Sequence, residues 1–218
     1  ANIYKNYEVI NPDNRRELFT SLLRDSLVKM DGCYSAWTIW EPNTIDEFDS
    51  ELGRYTACWT HEHDNIEYYE LEDYEDADWY LEPLMKNTID ISEPEIDEDE
   101  LEHGHKILIY TISVPIINES QEHVGLLGFD ISLENFQSID VGNEENVSVV
   151  KLLSEEGLAL IAPDEETLAE TDTYYYDNMA VFENAKQAKT SQLVTTFYND
   201  LNADSMGIIY PLSVANDT

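Results

Sequence analysis

Two runs decide how this chain folds: HKILIYTISVPII (residues 105–117) and HVGLLGFDISL (residues 123–133), joined by NESQE. Each is long, rich in β-branched residues and apolar on both alternations, as expected of a strand covered on both faces. A short polar connection between two such runs predicts an antiparallel hairpin at the centre of a sheet. The remaining elements have to pair beside this hairpin or pack over it.

Upstream of it, YEDADWYLEPLMKNTIDISEP (residues 74–94) sets Trp79 and Tyr80 side by side at the start of a short amphipathic segment, with a helix expected from near Asp78. Asp73, Glu75, Asp76, Asp78 and Glu82 surround the pair, and no Lys or Arg occurs in this stretch before Lys86. Aromatic faces in a field of carboxylates suit a small cation, through cation–π attraction and charge pairing. The same pair also reads as ordinary core, because aromatic residues mostly serve burial.

Towards the N-terminus, Asn11, Pro12 and Asp13 open a helix, RRELFTSLLRDSLVKM, with Leu18, Leu22 and Leu27 at helical spacing and a stop at Asp31 and Gly32. CYSAWTIW (residues 33–40) and RYTACWTHE (residues 54–62) read as strands, and EPNTIDEFDSELG between them as a turn-rich connector. Residues 64–78 and 94–104 read as acidic loops, LENFQSID as a short helix or linker, and residues 142–146 as the close of a first domain.

From Val147 the order repeats. VSVVKLL and LALIAP flank SEEG as a hairpin, DEETLAE is a capped turn, NMAVFENAKQAKT carries a helix, and SQLVTTFYN and MGIIYPLSV are two further strands separated by DLNADS. The expected architecture is α+β: two tandem modules, each an antiparallel sheet with flanking helices, on an N-terminal helix. The expected divisions are residues 1–32, 33–140 and 141–218, the last ending at Val214 where one more strand would complete the module.

Composition narrows the function. With 47 Asp and Glu against 11 Lys and Arg, the formal charge is −36, which repels phosphate backbones and excludes a nucleic-acid role. Much of that charge is also what a solvated surface in a salty habitat would carry. The 42% hydrophobic content, with 14 Tyr, is enough for a packed core. No run reaches the length of a membrane span, and no signal-peptide pattern opens the chain. Cys33 and Cys58 fall on two strands that can be neighbours, leaving either one bridge or two buried thiols.

WEPNTIDEFD, GRYTACW, DWYLEP, SEP, ILIYTISVPI and GLLGFDISLENF, taken in order, resemble the double Cache sensor domains of bacterial and archaeal chemoreceptors and sensor kinases. SVVKLLSEEGLALIAPDEETLAE resembles the second unit of that family. The resemblance implies two PAS-like units on a long N-terminal helix, an extracytoplasmic position, membrane segments outside this chain, a homodimer in the full receptor, and a ligand in the membrane-distal unit. In the amino-acid-sensing branch, an Arg two positions before the Trp-Tyr pair grips the ligand carboxylate, a Tyr after Glu-Pro assists, and an Asp on a later strand holds the amino group. Trp79, Tyr80 and Asp130 match that pattern, whereas the Arg position is Ala77 and the Tyr position is Glu95. Losing the bidentate cation disfavours a carboxylate ligand, and Glu95 adds negative charge opposite Asp130. The implied ligand is therefore an amine or quaternary ammonium, with Trp37 and Trp59 as further wall residues.

Other chemistry is weaker. His61 and His63, and His103 and His105, are spaced to share a strand face and could serve a metal such as Zn or Ni. An amino acid sensor with a variant carboxylate-binding group and a domain driven by a docking partner protein are the remaining alternatives. No Gly-rich phosphate loop or nucleophile elbow occurs, so neither an enzyme nor a cofactor is expected.

Overall fold

The computed structural model describes residues 4, 6–62, 65–97, 107–133, 151–154, 156–161, 170, 172–198 and 203–211. The chain divides into two compact units, residues 1–148 and 149–218.

In the first unit, 3-10 turns at Tyr7–Val9 and Pro12–Asn14 precede helix α1, Arg15–Lys29. Asn11 accepts from the Asp13 amide at 3.2 Å, and Pro12 takes the first position of its turn, where its missing N–H costs nothing. The buried stripe of α1 is Arg15, Phe19, Leu23 and Leu27. This corrects the expected Leu18, Leu22, Leu27 face by one position, because Phe19 and Leu23 carry the regular four-residue spacing. Full burial of each apolar member contributes about 1.5–3 kcal/mol.

Strands β1 (Cys33–Trp40), β2 (Thr56–Glu62), β3 (Asn65–Tyr69), β4 (Asp90–Ile91), β5 (Glu95–Ile96), β6 (Leu108–Ile117) and β7 (His123–Ser132) form one antiparallel sheet. Its order is β3-β2-β1-β7-β6-β4, with β5 also on β6. The hairpin of β6 and β7 and the central place of β7 follow the sequence reading. β1 is buried almost throughout because it lies between β2 and β7. Its register against β7 is set where Gly125 faces Trp40: a Cβ on Gly125 would lie 2.4 Å from the Ile39 carbonyl. β3 occupies part of what reads as an acidic loop. Its exposure on four of five residues explains the difference, since an edge strand needs no apolar alternation. The connector between β1 and β2 also holds a short helix, α2, at Asp49–Leu52.

Helix α1 covers one face of the sheet, packing Phe19, Leu23 and Leu27 on Ala36, Trp40, Ala57 and Leu127. Helix α3, Asp78–Lys86, covers the other, with Trp79, Tyr80, Leu81 and Leu84 gathered on Trp37, Ile39, Cys58 and Leu126. α3 starts at Asp78 as expected and ends at Asn87 in the left-handed conformation, φ 54°. Its Pro83 lies in the helix interior, where it removes the backbone bond to the Trp79 carbonyl. Cys33 and Cys58 are both buried free thiols.

The second unit contains β8 (Leu152–Leu153), β9 (Ala159–Ile161), α4 (Thr173–Asp177), α5 (Met179–Ala188), β10 (Gln192–Tyr198) and β11 (Ala203–Ile209). Both expected hairpins are present and antiparallel, as two separate two-stranded ladders among the described residues. β11 begins earlier than the sequence suggests, taking in Ala203–Ser205 from the apparent connector. Gly157 (φ 89°) turns the first hairpin, and a Cβ there would meet the Tyr175 ring at 2.4 Å. Lys151 pairs with Asp172 at 2.6 Å. The segments LENFQSID after its first residue, 142–146 and most of DEETLAE lie outside the described residues.

Candidate functional site

Strand alternation places Ser35, Trp37 and Ile39 of β1 on the face beneath α3, and antiparallel register carries the same face across the sheet. Ser35 stands opposite Asp130, and Asp130 opposite Thr111. Trp37 stands opposite Gly128, Gly128 opposite Ser113, and Ser113 opposite Asp90. Two adjacent rows of polar and aromatic groups thus run from β1 to the β6 edge.

Asp130 is the centre of the first row. Its carboxylate accepts from Thr111 Oγ1 at 2.7 Å, from Trp37 Nε1 at 3.3 Å and from Ser35 Oγ. Burial pushes its carboxyl above the usual range and Asp97 adds to the shift, while the three hydrogen bonds oppose it. Among the described residues no cation forms an ion pair with it. Such an acid is costly when ionised, and a cation delivered from outside would offset that cost.

The aromatic groups stand beside this carboxylate. The Trp37 indole lies on Gly128, and Trp79 meets it edge to face, with ring centroids 4.8 Å apart at 61°. Tyr80 packs against Tyr74 at 5.1 Å, and its hydroxyl is engaged by Arg54 Nη2 at 3.1 Å and Glu41 Oε1 at 3.0 Å. Arg54 pairs with Glu41 at 3.1 Å and lies over the Tyr74 ring at 5.3 Å. The expectation of a cation-free surround is therefore corrected: Arg54 reaches the Tyr74 and Tyr80 end of the aromatic cluster. That charge is held by Glu41, and Tyr80 acts as a packing residue there with its polar end occupied.

Trp59 does not join the site. It alternates to the opposite face, packs with the α1 core, donates to the Thr20 carbonyl at 2.9 Å and lies under Arg24 at 5.6 Å. Trp37 does join it. Glu95 pairs with Ile109, on the same strand face as Thr111, so the register places it on the Asp130 side at the sheet edge. Ala77 is the residue preceding α3 and packs against the Trp37 cluster. Cys58 neighbours this cluster as well, its thiol pushed up to about 12 by burial. Of the possible metal ligands, His61 lies on β2, and His63, His103 and His105 lie outside the described residues. Among the described residues no group of His, Cys, Asp and Glu is arranged to hold a metal ion.

Ser35, Thr111 and Gly128 are the site residues that the sequence reading passed over. Each was visible as a small or polar interruption in an otherwise apolar strand, the signal of a close approach or an internal partner. Arg54 and Glu41 carried no such signal, being ordinary charges at strand ends.

The first unit is thus an antiparallel sheet with a helix on each face and a polar and aromatic floor under one of them. Residues 19–138, more than half of the chain, match the family described as methyl-accepting chemotaxis protein-like, first PDC sensor domain, and the chain belongs to that family. No curated protein matches it by sequence. The fold is similar to that of methyl-accepting chemotaxis protein X, at TM-score 0.69 and 23% identity over 91% of this chain and 76% of that one. It is similar to the extracellular domain of mmHK1S-Z2, assigned as a histidine kinase, at TM-score 0.74 and 17% identity over 92% and 78% of the two chains. It is also similar to the ligand-binding domain of the Campylobacter jejuni chemoreceptor Tlp3 in complex with 4-methylisoleucine, at TM-score 0.56 and 16% identity over 90% and 68%. Among the described residues, no helix is long and apolar enough to cross a membrane.

Proposed function

We propose that this chain is the extracytoplasmic sensor domain of a membrane-anchored chemoreceptor or sensor kinase, and that its first unit binds a small amine or quaternary ammonium compound. The observation that carries the ligand class is Asp130, a half-buried carboxylate held by neutral donors, with another acid as its charged neighbour. Trp37 borders it through its indole N–H, Trp79 packs on Trp37 and adds aromatic surface for a cation, and Glu95 adds negative charge at the edge.

The Tlp3 domain was crystallised with an amino acid derivative, so an amino acid is the competing ligand. Such a ligand needs a cation for its carboxylate. On this face Arg54 is held by the Trp40 carbonyl at 2.7 Å and by Glu41 at 3.1 Å, and Lys86 is shared between Glu82 and Asp90. Trp40 lies five residues along β1 from Ser35, about 17 Å of strand. With Arg54 engaged at that end of the strand and Lys86 already between two acids, an amine is favoured over an α-amino acid.

A thermal-shift screen at fixed salt, with amines, quaternary ammonium compounds, amino acids, carboxylates and divalent metals, tests this reading. A ligand at 100 times its Kd adds about 2.7 kcal/mol to stability. Amines or quaternary ammonium compounds should stabilise the wild type and not Asp130→Asn. Stabilisation by carboxylates or amino acids instead would overturn the ligand class. A response to metals alone, lost on His61→Ala, would move the function to metal sensing, and silence from every class would point to a partner protein.

A further inference from the structure

The hydroxyl of Ser113 is a buried polar group with no hydrogen-bond partner among the described residues. The side chain is 1% exposed and lies on the Asp130 face of β6, two residues from Thr111. Opposite it on β7 is Gly128, which offers no side chain, and beyond Gly128 lies the Trp37 indole. On its other side is Asp90, whose carboxylate takes a 2.7 Å bond from Lys86. An unsatisfied buried hydroxyl costs about 1–3 kcal/mol, so alanine would make the better core residue here. The adjoining Thr111 hydroxyl, by contrast, is bound to Asp130.

We infer that Ser113 is a second ligand-contacting residue, which takes a neutral hydrogen-bonding group of the ligand while Asp130 holds its ammonium. This inference rests on the amine reading of the Asp130 site and narrows it. Residues two apart on a strand are about 7 Å apart, which sets the reach between the two ligand groups. The neighbouring Asp90 is already engaged by Lys86, which Glu82 also binds, so a second ammonium would compete with a resident cation for that carboxylate. The ligand class is therefore an amino alcohol in preference to a diamine or a simple alkylamine. Trp37 borders both anchors, bonded to Asp130 and facing Gly128 opposite Ser113, and the half-buried Trp79 packs against Trp37.

The test is titration calorimetry with butylamine, aminopropanol, aminobutanol and diaminobutane, on the wild type, Ser113→Ala and Asp130→Asn. In the wild type an aminoalcohol should bind about tenfold more tightly than butylamine, the equivalent of one hydrogen bond. Ser113→Ala should abolish that preference, leave butylamine affinity unchanged, and keep or raise the melting temperature without ligand. An equal preference in Ser113→Ala, no preference in the wild type, or tighter binding of diaminobutane would each overturn the inference. If butylamine binding is nevertheless lost in Asp130→Asn, the amine reading survives that failure. If no amine binds the wild type, both fall together.

Discussion

Trp37 lies so close on Gly128 that a Cβ on Gly128 would sit 2.0 Å from Cζ2 and 2.1 Å from Cε2 of the indole. Both residues belong to rigid central strands and face each other in register, so neither backbone can withdraw. Gly128→Ala should force the indole off the sheet, break its 3.3 Å bond to Asp130 and cost about 1–3 kcal/mol, as overpacking does. Urea unfolding with tryptophan fluorescence reads the lost stability and the moved indole in the same experiment.

Arg16 should be among the residues least tolerant of substitution. Its guanidinium binds Asp46 at 2.7 and 3.0 Å, Asp49 at 2.6 Å and the Gly53 carbonyl at 3.0 Å. Burial would push the Asp46 carboxyl up, but the bonds from Arg16 and the Phe48 amide outweigh it and leave the group below the usual range. With the Asp46 side chain 1% exposed, Arg16→Ala strands a charge and should cost about 3–5 kcal/mol. Because the native pKa is lowered, the contribution of Asp46 is present above its unfolded value of about 3.9 and is lost as pH falls through the native one. Chemical denaturation from pH 7 downward, in wild type and Asp46→Asn, checks this.

Asp130 titrates in the opposite sense. Its native pKa lies above the unfolded one, so its charged form disfavours folding at neutral pH. That penalty is relieved as pH falls through the native pKa towards about 3.9. Binding of a cation needs the carboxylate and so should weaken tenfold per pH unit below that native pKa. Asp130→Asn should remove both dependences, which calorimetry at several pH values would show.

Trp79 and Tyr80 are neighbours in sequence with different expected phenotypes. Trp79→Ala should reduce amine affinity by about 0.5–2 kcal/mol, the range of a cation–π contact. Tyr80→Phe should leave affinity unchanged and lower stability by about 1 kcal/mol, through the lost bonds to Arg54 and Glu41. Paired binding and melting measurements separate the two roles.

The central hairpin, the helix starting at Asp78 and the strand at Cys33–Trp40 were all readable, because burial on both faces and a sharp amphipathic onset leave strong local patterns. β3 was not, since an exposed edge strand has no apolar rhythm to detect. Asp130, Trp37 and Trp79 were identified as site residues, and the structure brings them together. Trp59 was misplaced because its face depends on a one-residue alternation along β2, and a tryptophan on either face looks the same in sequence. Arg54 escaped notice for a different reason: its position beside Tyr80 comes from the pairing of β1 and β2, and sequence proximity to the helix does not show it.

The bond between Ser35 and Asp130 closes a loop of 95 residues, and it lies at the middle of the sheet, where β1 meets β7. Contacts of such separation form late, because the entropy of closing the chain must be met before the pairing rewards it. The first unit should therefore fold slowly for its size, with the β6–β7 hairpin forming before β1 docks. The Asp130 carboxylate acquires its Ser35 and Trp37 donors only at that docking step. A nascent or partly folded chain consequently lacks the finished polar row: Ser35, Trp37 and Asp130 meet only when two distant strands of the sequence close on each other.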